Sequence, residues 1–164
     1  MNRAENSLTE IRLELEHINP YVPYSLEFKI NNKICKLDHV IVGMNSVADW
    51  NSNYYFIDKV KPILRSIKSM TKEEAYELGL LIMGEADMED KKVGIGDITL
   101  NGNTYPVIMY QDQKDDEYSI MIQFSTMGIS GIDLIPYEAY KWLLKNHFDI
   151  FGLIRLGLAV ERRI

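Results

Sequence analysis

The residue types best suited to chemistry in this sequence gather near its C-terminal end. Trp142, His147 and Asp149 lie close together in the segment WLLKNHFD. A histidine beside a carboxylate is a common pair for general acid–base catalysis, and a tryptophan offers a ligand a flat apolar surface. These three are therefore the candidate binding residues, and a small enzyme or ligand-binding protein would have its site near His147 and Asp149. The alternative is that His147 and Asp149 fasten a corner between two helices through hydrogen bonds.

Metal ligands follow no recognisable pattern. Two carboxylate-rich stretches, 85–90 and 112–117, lack the alternating ligands and the glycine of a calcium loop, and lysines lie among or beside them. The three histidines, His17, His39 and His147, have none of the spacings that zinc sites use. The sequence therefore predicts no metal site and no cofactor.

Other catalytic motifs are missing too. The glycine-containing stretches GIGD (94–97) and MGISGID (127–133) match neither a phosphate-binding loop nor a dinucleotide fingerprint. The single cysteine, Cys35, excludes an internal disulfide and lies in a strand-like run, where a core or half-buried thiol is expected. We therefore predict no catalytic residues, and an enzyme is disfavoured.

Composition and charge narrow the class of protein. With 164 residues, of which 46% are hydrophobic and 26% charged, the chain is expected to form a single domain, 1–164. Its net charge of −6 argues against direct binding of duplex nucleic acid and permits a protein partner. Residues 83–164 hold most of the negative charge, so an electrostatically recruited partner would face this half. No apolar stretch approaches the ~20 residues that span a membrane, so we expect a soluble, cytoplasmic protein.

Two helix starts are visible as capping boxes, in which a Ser or Thr and a Glu three residues later satisfy each other's backbone donors. These pairs are Ser7 with Glu10, and Thr71 with Glu74. The first predicts an N-terminal helix over 7–18, and the second predicts a helix that ends near Gly84.

The closing stretch predicts a helix–corner–helix unit over 136–157. Pro136 suits the first turn of a helix, and the segment 147–149 interrupts that helix. The residues FGLIRL predict a second short helix, which Gly157 would end. The residues LAVE that follow are compatible with a last short strand.

Strand signals fill most of the remaining chain. Leu26, Phe28 and Ile30 alternate with polar residues, and turn-forming pairs separate strand-like runs at Asn31-Asn32 and Asn101-Gly102. The second pair and the strand that follows it predict a three-stranded meander. We expect the strand that contains Pro62 to be an edge strand or a connector. The predicted fold is α+β: an antiparallel sheet of about five or six strands, with meander and hairpins, packed by about three or four α-helices.

Three stretches resemble recurring patterns in short uncharacterised proteins encoded by bacteriophages and prophages of gut anaerobic bacteria. They are LEHINPYVPYSL, VKPILRSIKSMTKEE and WLLKNHFDIFGLIRLGLAVE. The last stretch departs from its pattern, because Asn146 replaces the first histidine of an HHFD motif and Ile150-Phe151 replace Tyr-Arg. The resemblance implies a mobile-element protein in the cytoplasm of a bacterial host, and it implies no catalytic residues.

These observations favour a phage-encoded accessory protein that binds a host or phage macromolecule, with a host-defence component among the candidate partners. A protein, from host or phage, is the expected partner, and association with a second copy of the chain stays open. The alternatives are a virion or assembly component, and a small ligand-binding protein or enzyme with its site near His147 and Asp149.

Overall fold

The computed structural model of the chain describes residues 12–113, 118–125, 128–130 and 135–163. These residues form an α+β fold, which confirms the predicted fold class. The described α-helices are α1 (Leu15–Ile18), α2 (Lys72–Met83), α3 (Glu85–Met88) and α4 (Tyr137–Lys145). The described strands are β1 (Glu27–Ile30), β2 (Lys33–Ile41), β3 (Ser46–Asp49), β4 (Tyr54–Phe56), β5 (Lys61–Leu64), β6 (Lys91–Leu100), β7 (Asn103–Asp112), β8 (Tyr118–Ser125), β9 (Gly128–Ser130) and β10 (Val160–Glu161).

The first sheet is mixed and has the strand order β10-β5-β1-β2-β3-β4. All its neighbours are antiparallel except β10 and β5, which run parallel. The predicted turn at Asn31-Asn32 joins β1 to β2, and Asn31 has a φ of 51°, a left-handed conformation that asparagine tolerates. The C-terminal LAVE segment contributes β10, as the sequence predicts.

A second sheet contains β6, β7, β8 and β9 in that order, all antiparallel. Asn101 and Gly102 have φ values of 50° and 78°, and Leu100 pairs with Asn103 across them. Both central residues therefore have the positive φ that a two-residue hairpin turn requires. The meander is confirmed, but its strands form a sheet separate from the first, rather than part of one sheet.

Buried side chains from both sheets and from α2 and α4 form one apolar cluster. Helix α2 lies on β6 and α4, and α4 packs against the 3₁₀ turn Asn19–Tyr24. The Tyr110 hydroxyl, inside this cluster, donates to the Ala75 carbonyl at 2.8 Å. The largest fully buried side chains include Tyr21, Tyr110, Phe28, Phe124 and Phe148.

Of the predicted N-terminal helix, 7–18, the structure describes residues 12–18, and only 15–18 are helical. The Ser7–Glu10 capping box lies outside the described residues, and the described helix α1 begins at Leu15. Glu14 is extended, with φ of −117° and ψ of 156°, and its backbone N–H donates to His17 Nδ1 at 3.0 Å. This local hydrogen bond caps the start of α1 at Glu14, and residues 12–14 are not helical.

The C-terminal unit over 136–157 has its first helix and its corner, but its second helix is wrong. Helix α4 starts at Tyr137, with Pro136 as its extended N-cap residue, and residues 149–159 then form successive turns. Gly152 and Gly157 have positive φ values of 67° and 71°. The Asp149 side chain accepts the backbone N–H groups that a helix would direct at preceding carbonyls, and so it competes with helix formation.

The strand with Pro62, β5, is neither an edge strand nor a connector, because it lies between β10 and β1. Strand β10 pairs only with Ile63 and Leu64. At Pro62, strand β5 pairs with β1 but not with β10. The N–H that proline lacks is therefore not needed for a hydrogen bond to β10.

Gly79 lies on the buried side of α2, and it gives a test of the packing. A Cβ at Gly79 would lie 2.6 Å from Met88 Sδ and 2.6 Å from Tyr110 Cε1. Glycine to alanine in a helix interior normally stabilises by ~1 kcal/mol. For Gly79→Ala we expect instead a loss of ~1–3 kcal/mol in the free energy of unfolding, because the buried contact is overpacked.

Urea denaturation measures this loss, with Gly43→Ala as the matched control. A Cβ at Gly43 meets nothing within 4 Å, so this variant should unfold at the wild-type urea concentration. A Gly79→Ala variant as stable as wild type would contradict the packing of α2 described above.

Candidate functional site

The three predicted site residues meet at one corner, where residues 147–149 pair with Arg65 at the end of β5. The Arg65 N–H donates to the His147 carbonyl at 2.8 Å, and the Asp149 N–H donates to the Arg65 carbonyl at 2.8 Å. Phe148 lies between them, paired with Arg65 in a parallel bridge. The corner is thus held to the first sheet by backbone hydrogen bonds.

The side chain of Phe148 adds a stack of rings and charges to this pairing. Trp142 stacks on the Phe148 ring at 5.8 Å and 18°, and the Arg65 guanidinium lies 4.3 Å from the same ring centre. Glu74 holds that guanidinium through two hydrogen bonds of 2.8 Å. The hydrogen bonds from Arg65 lower the pKa of Glu74, which also accepts the Thr71 N–H of the confirmed capping box. Trp142 therefore belongs to the side-chain packing around Phe148.

His147 turns the chain after α4 and ties it to the N-terminal segment. Its φ is 57°, and its Nε2 lies 2.7 Å from the Tyr24 carbonyl oxygen. A carbonyl only accepts, so Nε2 carries the proton and donates it. Burial lowers the pKa of His147, because the half-buried imidazole loses solvation when it is charged.

Asp149 faces backbone amides. Its side chain accepts the N–H groups of Leu153 and Ile154, each at 2.8 Å, and the residue is buried. Burial raises the pKa of Asp149, although hydrogen bonds from backbone amides oppose the shift. Tyr21 donates its hydroxyl to the Phe148 carbonyl at 2.6 Å, and its pKa is raised well above 10.0 by burial and by the nearby Asp149 charge.

The arrangement of this corner fits the fastening role better than a catalytic one. The His147 ring bonds to a carbonyl, while the Asp149 carboxylate bonds to amides of the following turn, so each is held by its own structural partner. Within the described ranges no three His, Cys, Asp or Glu side chains converge as metal ligands.

A second candidate site lies on the first sheet, and we call it the apolar face. It consists of exposed large apolar side chains on β2–β4 and their connections. Among the exposed large apolar residues in the described part of the chain, six of ten fall in this region. They are Ile34 (64% exposed), Val42 (79%), Met44 (57%), Trp50 (63%), Tyr54 (59%) and Phe56 (61%).

Strand register shows why Tyr54 and Phe56 face outwards. Tyr55, between Tyr54 and Phe56, packs edge-on against the buried Phe28 at 5.6 Å, so it points into the core. Successive side chains of a strand point to opposite faces. Tyr54 and Phe56 are therefore on the outer face, beside the small residues Ala48 and Ser46 to which they pair.

Trp50 is held in place at the end of β3 although its ring is exposed. Its Nε1 donates to the Leu37 carbonyl at 2.9 Å, and its N–H donates to the Lys36 carbonyl at 3.3 Å. The buried Asp49 organises the following loop, because its Oδ1 accepts the N–H groups of Asn51 and Asn53 at 2.9 Å. The loop therefore presents an aromatic ring in a fixed position.

The sequence pattern does not reveal the apolar face. Tyr54, Tyr55 and Phe56 are all aromatic, so alternation gives no sign of which residues face solvent. Trp50 lies among polar residues in DWNSNYYF, which reads as an ordinary loop. The only local signal is the density of aromatic residues between 50 and 56.

Comparison with known proteins adds no relative. The chain matches no protein family, none of the curated proteins and none of the solved structures with which it was compared. None of the described helices has the length and apolar character needed to cross a membrane.

The structural role of His147 predicts a pH dependence of stability. Because the folded pKa of His147 lies below its ordinary 6.5, the unfolded chain binds more protons as the pH falls through that value. Stability attributable to His147 is therefore present above pH 6.5 and decreases below it, by at most ~1.4 kcal/mol per pH unit. His147→Asn keeps a residue that tolerates positive φ and should flatten this part of the profile.

Urea unfolding midpoints measured across the weakly acidic range test this expectation. His39→Asn is the comparison variant, because the His39 side chain is half-exposed and lies outside the corner. The slope should change more in His147→Asn than in this variant. An unchanged slope in His147→Asn would contradict the assignment to His147.

Proposed function

We propose that this chain is a phage- or mobile-element-encoded accessory protein that acts by binding a protein partner, with the apolar face as its contact surface. The carrying observation is that Trp50, Tyr54 and Phe56 are each about 60% exposed within a stretch of seven residues, and Tyr54 and Phe56 share the outer face of β4. Contiguous exposed apolar surface marks interaction sites, whereas isolated exposed residues are ordinary. The resemblance to phage and prophage proteins supports a bacterial host cell as the setting.

The composition of the face favours a protein as partner. Tryptophan and tyrosine dominate the binding energy of protein interfaces, because they bury large areas with few rotatable bonds. The hydrogen bond from Trp50 Nε1 to the Leu37 carbonyl fixes the indole before binding, which reduces the entropy lost on association. The face is therefore preorganised at its largest side chain.

Charges near the face indicate the chemistry of the partner. Lys29, Lys33 and Lys36 are exposed on the β1–β2 hairpin, and Lys29 pairs directly with Ile34. These lysines lie in residues 1–82, whose net charge is close to zero. The sequence charge alone instead favours residues 83–164, which hold most of the negative charge, as the side that faces a partner. We infer a partner surface with an apolar centre and an acidic border.

The corner at Arg65 supplies little support for the enzyme alternative, since the side chains of His147 and Asp149 are bound within the fold.

A virion or assembly role uses the same kind of surface as an accessory role. Proteomics of purified particles distinguishes the two, and recovery of the chain in stoichiometric amount would favour the virion role.

Removal of two aromatic rings tests the proposed surface. We expect Trp50→Ser with Phe56→Ser to abolish recovery of a specific partner from host or infected-cell lysate. Once the partner is purified, Trp50→Ala alone should weaken binding by about thirtyfold, which corresponds to ~2 kcal/mol for a central interface residue.

The matched control is Leu100→Ser with Tyr137→Ser, because these residues are exposed by 42% and 72% and lie outside the apolar face. A partner that both double variants recover equally would refute the proposed surface. Sedimentation equilibrium and single-stranded oligonucleotide binding complete the test. Wild-type dimers, or an oligonucleotide complex, that the Trp50/Phe56 variant loses would assign the face to a second copy or to nucleic acid instead.

A further inference from the structure

A cavity of about 390 Å³ lies where residues 66–68, the second sheet and the C-terminal turns meet. Ile67 and Phe124 are almost fully buried and form its inner wall, and Pro106 and Ile154 extend the apolar lining. Its volume falls in the range of about 300–1,000 Å³ that small-molecule sites occupy. The cavity is separate from the apolar face, so what it binds does not depend on the function proposed above.

Two exposed charges of opposite sign line this cavity. Arg155 and Glu161 both line it and are exposed, and neither forms an ion pair with another described residue. The Arg155 guanidinium lies 5.1 Å from the ring centre of Tyr105. Contact with an aromatic ring positions the guanidinium while leaving its N–H donors for a ligand.

The other charged residues in the described lining of the cavity are already paired within the fold. Lys68 Nζ pairs with Asp97 Oδ2 at 2.6 Å. Asp149 faces the cavity from the inside, but its carboxylate accepts the amides of the following turn. One cation and one anion, Arg155 and Glu161, are left to select a ligand.

We propose that this cavity binds a small amphoteric molecule of the apolar amino acid or short-peptide class. The ligand carboxylate would bind Arg155, its ammonium group would bind Glu161, and its side chain would pack on Ile67 and Phe124. A charged hydrogen bond to guanidinium suits a carboxylate in particular, because the planar donors match its two oxygens.

Ligands that lack one charge test each contact separately. L-phenylalanine and the dipeptide Gly-Phe carry both charges, 3-phenylpropionate lacks the ammonium group, and phenethylamine lacks the carboxylate. We expect the two amphoteric probes to bind saturably in amide chemical-shift titrations, and each one-charge analogue to bind about tenfold more weakly than L-phenylalanine. The affected amides should be those of residues 66–68, 104, 105, 107 and 152–155.

Charge-removing variants complete the test. Arg155→Gln should weaken L-phenylalanine about tenfold and leave phenethylamine unchanged, whereas Glu161→Gln should leave 3-phenylpropionate unchanged. Arg163→Gln and Glu16→Gln are matched controls, because both residues are exposed and outside the cavity lining. The proposal is overturned if no probe binds saturably, if the shifted amides lie elsewhere, or if either variant weakens all probes equally.

Discussion

The pairing of Arg65 with the corner at Phe148 is the interaction on which the rest of the structure depends. It joins the end of β5 to the C-terminal segment through backbone hydrogen bonds, and to α4 through Trp142. The Arg65–Glu74 pair, with side chains only 13% and 25% exposed, extends the same junction to α2. Loss of one partner would leave the other charge partly buried without its counter-charge. Trp142, His147 and Asp149, whose residue types suggest catalysis or binding, therefore connect segments that are distant in the sequence.

This junction leaves the two faces of the first sheet in different surroundings. The inner face, with Phe28, Leu37 and Tyr55, packs into the apolar cluster that the helices and the second sheet share. On the outer face, the rings of Tyr54 and Phe56 stay about 60% exposed. Burial of an apolar side chain of this size stabilises by ~1.5–3 kcal/mol. A partner that covered Tyr54 and Phe56 would gain this free energy on binding.

Local chemistry predicted the local structure of this chain and little beyond it. The turns at Asn31-Asn32 and Asn101-Gly102 and the cap at Thr71 depend on neighbouring residues alone, and all are confirmed. The division into two sheets depends on contacts between distant segments, which periodicity does not encode. The missing C-terminal helix shows a competition that propensity ignores, since Asp149 binds amides that a helix would otherwise use. Trp142, His147 and Asp149 are close in sequence and lie at one corner of the structure, whereas periodicity does not reveal the apolar face, because aromatic residues occupy both sides of β4.

The central claim is that binding takes place on the apolar face while the corner at Phe148 is structural. Hydrogen–deuterium exchange of the chain, alone and bound to its partner, tests it most directly. The account predicts new protection in the segments 33–37 and 50–56 on binding, with no change in residues 146–149, which lie outside the apolar face. Protection confined to residues 142–155, with exchange of the apolar face unchanged, would contradict it.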